Sequence, residues 1–95
     1  MTKLERLLSE LKREYCRDYR IRNIDYERCL YRDLGNGYDV ELSEFNTHSK
    51  THKGILYLWK DKNHIVKTVH DIPPTAEAIH SVVESLRDEI ETGLL

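Results

Sequence analysis

The sequence predicts an α+β domain, because amphipathic helical repeats near its two ends flank a middle third in which apolar and polar residues alternate. Leu4, Leu7, Leu8, Leu11 and Tyr15 recur at helical spacing, with Lys3, Arg6, Glu10 and Arg13 on the other side, which predicts a helix over residues 2–16. Thr2 and Glu5 have the spacing of a capping box. Tyr38, Val40 and Leu42 alternate with Asp39, Glu41 and Ser43 as in a half-buried strand. Two further strands, 55–60 and 64–72, are separated by a polar turn at Lys62-Asn63. Pro73-Pro74 stops the sheet, since neither proline can donate to a ladder. A second helix follows over 75–91, with Ala76, Ile79, Val82, Val83, Leu86 and Ile90 on one face and Gly93 as its stop.

Residues 25–34 admit two readings. As a short helix the segment has Asp25 as N-cap and Gly35 after its end; as a strand it pairs with 38–45 around Gly35-Asn36-Gly37. Cys29, Leu30 and Tyr31 are consecutive, which breaks strand alternation and favours the helix. The expected architecture is one domain, residues 1–95. It holds a three-stranded antiparallel meander, four-stranded on the second reading, with the N- and C-terminal helices packed on it.

A two-residue turn at Lys62-Asn63 would pair Trp59 with Val66, Leu58 with Lys67 and Tyr57 with Thr68. One face then carries Tyr57 and Trp59, and the other Leu56, Leu58, Ile65, Lys67 and Val69. An unpaired ammonium is costly to bury, so the expectation is that the Trp59 face meets the helices. The Leu56–Leu58 face is then expected to be covered by a second chain or by residues 25–34.

No apolar run approaches the length of a membrane span, the early residues are acidic as well as basic, and two cysteines make no disulfide framework. These features lead to the expectation of a cytoplasmic protein. Charge comes in blocks: residues 12–32 hold seven bases and four acids, 33–47 four acids, 48–70 five lysines and one acid, and 71–95 six acids and one base. The stretch Arg17, Tyr19, Arg20, Arg22, Tyr26, Arg28, Tyr31, Arg32 interleaves guanidinium groups with rings, a chemistry suited to protein contacts and to nucleic acid. Asp88, Glu89 and Glu91 lie where a helix macrodipole is already negative, so the arginine-rich stretch is their expected counterpart.

His48 and His52 have the His-x3-His spacing on a polar loop, but Cys16 and Cys29, thirteen positions apart, are not the close cysteine pair of a zinc site, and no glycine-rich phosphate loop occurs. The order helix, strands, closing helix resembles double-stranded-RNA-binding domains and the small toxin ribonucleases of that layout. In this resemblance Asn36-Gly37-Tyr38, His48 and Thr68-Val69-His70 fall in comparable places. The chain departs from it in having no Gly-Ser-His and in opening its last helix with Thr75-Ala76-Glu77-Ala78. The sequence therefore points to a non-catalytic interaction module that self-associates and binds a protein partner, without cofactor or metal. Its expected contact residues are Arg17, Arg20, Arg22, Arg28, Arg32, Leu56, Leu58, Ile65, Lys67, Val69, Asp88, Glu89 and Glu91. The alternatives are a nucleic-acid-binding accessory domain and a histidine-dependent ribonuclease.

Overall fold

The computed structural model describes residues 1–95. Helix α1 (Lys3–Glu14) is followed by strands β1 (Arg20–Ile24), β2 (Glu27–Gly35), β3 (Tyr38–Ser43), β4 (Gly54–Lys60) and β5 (His64–Ile72), then by helix α2 (Ala76–Glu91). The strands form one antiparallel meander in sequence order, with β1 and β5 at the edges. Thr2 and Glu5 close the expected capping box, and the Thr75 hydroxyl accepts from the Ala78 N–H to start α2.

The sheet has two more strands than the three of the main expectation, and residues 25–34 are not a helix. Asp25 and Tyr26 both adopt positive φ, 49° and 67°, and turn β1 into β2 as a tight hairpin. Asn36 and Gly37, at 55° and 84°, do the same between β2 and β3. Cys29 to Arg32 read as unpatterned because all four are buried: Leu30 and Arg32 face the helices, Cys29 and Tyr31 the opposite side. The added pair of strands also removes the layout resemblance to double-stranded-RNA-binding domains.

Both helices lie on one side of the sheet, and a single core joins Leu4, Leu7 and Leu11 of α1 and Ala76, Ile79, Val83 and Leu86 of α2 to Leu30, Val40, Leu42, Leu56 and Leu58. Leu56 and Leu58 therefore lie under the helices, covered by the chain's own α1 and α2 rather than by a second chain or residues 25–34. The expected pairings Leu58–Lys67 and Tyr57–Thr68 occur, but the assignment of faces is inverted. Lys67 shares the helix side without being buried alone, because β5 is an edge strand and the ammonium reaches out to Glu89 at 3.1 Å. A bulge near Val66 pairs Trp59 with Ile65, which moves Ile65 to the uncovered face beside Trp59.

The polar loop after β3 is anchored by Phe45, whose ring lies against the Gly54 Cα so closely that a Cβ there would fall 2.3 Å from the ring. Glycine is required at this position by space rather than by torsion. No helix is long and apolar enough to cross a membrane.

The face assignment has a direct test in urea unfolding. Leu58→Ala is expected to cost about 2–5 kcal/mol, as for a fully buried leucine, and Tyr57→Ala clearly less. The reverse ranking would mean that the helices cover the Tyr57 face.

Candidate functional site

With the helices on one side, the other face of the sheet is uncovered, yet it is not an ordinary solvated surface. The outward residues of β3 are Asp39, Glu41 and Ser43, and these are only 8%, 9% and 5% exposed. A central strand puts them between the larger side chains of its neighbours: register places Tyr31 and Tyr57 on either side of Glu41, and Trp59 next to Asp39.

Hydrogen bonds hold the group together. The Tyr31 hydroxyl donates to Asp39 Oδ2 at 2.7 Å. The Trp59 indole N–H donates to Glu41 Oε1 at 3.1 Å, and the Ser43 hydroxyl to Glu41 Oε2 at 3.0 Å. Cys29 Sγ lies 3.5 Å from Ser43 Oγ. Arg22 stacks its guanidinium 4.3 Å above the Tyr31 ring. Asp39 Oδ1 alone finds no donor within the protein and is buried. Burial, reinforced by the Asp39 carboxylate, pushes the Tyr31 phenol up to about 12, and burial pushes the Cys29 thiol up to about 11.

Two adjoining grooves cross this face. One, of about 300 Å³, runs along Tyr31, Asp39 and Glu41 between Arg22 and Lys62. The other, of about 390 Å³, is lined by Asp25, Glu27, Glu41 and Glu44, by the Tyr57 and Trp59 rings, and by no cation. They share Ile24, Asp25, Glu41 and Trp59.

A second polar cluster lies on the helix side. The Tyr19 hydroxyl is 2.9 Å from His80 Nδ1, Tyr15 stacks on the His80 ring, and Arg32 lies 5.2 Å from the Tyr19 ring centroid and 3.5 Å from Glu84. Arg87 closes on Glu84 at 3.3 Å. These contacts tie the segment after α1 and strand β2 to α2.

The residues expected to form the contact surface are scattered. Arg17 is exposed in the turn after α1, Arg20 and Arg22 project from β1, Arg28 is exposed on β2, and Arg32 is buried against Tyr19. Strand alternation thus sends the arginines of the Arg/Tyr stretch to both sides of the sheet. Leu56 and Leu58 are fully buried and present no surface, Val69 is partly buried and lines a shallow groove with Lys67 and Glu89 on the helix side, and Ile65 is 43% exposed on the open face. The acidic end of α2 does not meet the arginine stretch: Glu89 pairs with Lys67, Glu91 with Arg87, and Asp88 is exposed. His48 and His52 remain on the loop, with His52 3.2 Å from Glu44, and no group of three or more His, Cys, Asp or Glu is arranged to hold a metal ion.

Sequence reading assigned Asp39 and Glu41 to a solvated strand face and Tyr57 and Trp59 to the core. Their common side follows from the β3–β4 register, and that this side is the open one follows from the helices packing on the Leu56 and Leu58 face. Comparison with protein-family models, curated proteins and solved structures finds no match.

Two measurements follow. Tyr31→Phe leaves the buried Asp39 Oδ2 without its donor and is expected to cost about 1–3 kcal/mol in unfolding free energy; a neutral result would mean that the bond is not formed. Burial holds the His80 imidazole below its ordinary value, with Glu84 opposing and Arg32 and Arg87 assisting. The unfolded chain therefore takes up this proton first, and stability is expected to decline as pH falls below about 6.5. Tyr19 and Tyr31, both pushed up to about 12, add a decline that begins as pH rises past the ordinary phenol value near 10. Melting curves across pH should show both limbs, and His80→Gln should flatten the acid limb between about pH 6.5 and 5. An unchanged acid limb would contradict the burial of His80.

Proposed function

We propose that this chain is a non-catalytic interaction module that holds a protein partner on the open face of its sheet. One observation carries the reading: two carboxylates more than nine-tenths buried, organised by aromatic hydrogen-bond donors, on a sheet face that no element of the chain covers. Rings with a polar tip beside a few fixed polar groups are the composition of interface centres. The raised Cys29 thiol and Tyr31 phenol stay protonated at neutral pH, which suits a binding surface better than nucleophilic chemistry.

Nucleic acid has less support, since the arginines are divided between the two faces and the grooves are lined by carboxylates that repel phosphate. Self-association through Leu56 and Leu58 loses its basis, as both are core residues. A two-fold dimer through the open face would set one carboxylate-rich surface against its copy.

A photo-crosslinking residue placed at Tyr57 is expected to give covalent adducts with a partner protein in the native host, and Glu41→Lys should abolish them. The same residue at Ser81, exposed on α2, should give none. Equal adducts from both positions, or none from Tyr57, would contradict the proposal.

A further inference from the structure

The chemistry of the open face also narrows what it takes, granted that it is a docking surface. We infer that its grooves receive an arginine side chain from a basic segment of the partner, stacked on the Trp59 ring and hydrogen-bonded by Asp39 and Glu41.

Three observations converge on a guanidinium. The larger groove presents four carboxylates and two aromatic rings with no cation among its walls, so it is charge-complementary to a cationic side chain. Asp39 Oδ1, buried beside the adjoining groove, finds no donor in the protein, whereas a guanidinium brings five N–H donors in one plane. Lys62, an exposed side chain lining that groove, is the flexible neighbour that would move aside. The face also already holds one guanidinium of its own: Arg22 Cζ lies 4.3 Å from the centroid of the Tyr31 ring, whose hydroxyl donates to Asp39. Trp59 repeats the arrangement on the other side of β3, its indole N–H donating to Glu41 and its side chain lining both grooves, but without an arginine of this chain upon it. Lysine fits less well, because a point charge neither stacks as a plane nor donates to two carboxylates in fixed geometry.

Trp59 is the chain's single tryptophan, so its fluorescence reports on this site alone. The probe is the peptide acetyl-Gly-Arg-Gly-Arg-Gly-amide, titrated into the intact chain at low salt beside lysine and citrulline counterparts. The arginine peptide should change Trp59 emission saturably. The lysine peptide should bind several-fold more weakly, and the uncharged citrulline peptide should not bind. Glu41→Gln and Asp39→Asn should each weaken binding roughly tenfold, as for loss of a charge-assisted contact. Glu10→Gln, removing an exposed acid from α1, should leave it unchanged. Each variant's melting curve establishes that it is folded.

No saturable change with the arginine peptide, equal binding of the lysine or citrulline peptide, or indifference to Glu41→Gln would overturn the inference. Crosslinking at Tyr57 is read independently. Adducts that persist when the arginine peptide fails would leave the docking face standing and remove only its arginine specificity.

Discussion

The structure depends on which side of the sheet the two helices occupy. Strand β4 is apolar on both faces, with Leu56 and Leu58 on one and Ile55, Tyr57 and Trp59 on the other, and both helices pack on the first. The aliphatic side is taken because leucine packs against the α1 and α2 stripes with no polar atom to satisfy. Tyr31 and Trp59 each carry a donor that needs a partner once covered. On the uncovered side those donors find Asp39 and Glu41. Burial of the leucines and exposure of an organised aromatic and acidic face are thus one decision.

That decision was hidden in the sequence while much around it was legible. The helices declared themselves through unbroken apolar spacing and capping residues, and β3 to β5 through alternation and the following prolines. Leu58 pairs with Lys67 and Tyr57 with Thr68 as a two-residue turn at Lys62-Asn63 would require, but the turn is the three residues 61–63, and the bulge after Leu58 is what restores that register. The face was misread on Lys67, whose ammonium was expected to need solvent on the far side. On an edge strand it can keep that solvent and still face the helices through Glu89, 22 positions away. Strands β1 and β2 were obscured by different physics. Cys29, Leu30, Tyr31 and Arg32 are buried on alternating sides, so no periodicity survives, and Asp25-Tyr26 makes its hairpin turn without glycine.

Charge tells the same story at longer range. The blocks along the chain are real, but folding pairs them locally. Glu84 serves Arg32 and Arg87, Glu89 serves Lys67, and Glu91 serves Arg87, so of the acids near the end of α2 Asp88 alone stays exposed without an ion pair. The groove between Asp25 and Glu44 keeps four carboxylates and no cation, and these come from β2, β3 and the turns beside them. The sequence scatters these acids across two blocks, one of them basic on balance, and only the sheet brings them together.

The central claim is that Tyr57 and Trp59 form a surface meant to be covered by another protein. Oxidative side-chain footprinting compares the chain in isolation with the chain in its native cellular assembly and reads each ring separately. Tyr57 and Trp59 are expected to react in the isolated chain and to be protected in the assembly, while Tyr15, exposed on the helix side against His80, reacts in both. Equal reactivity of Tyr57 and Trp59 in the two states would contradict the claim.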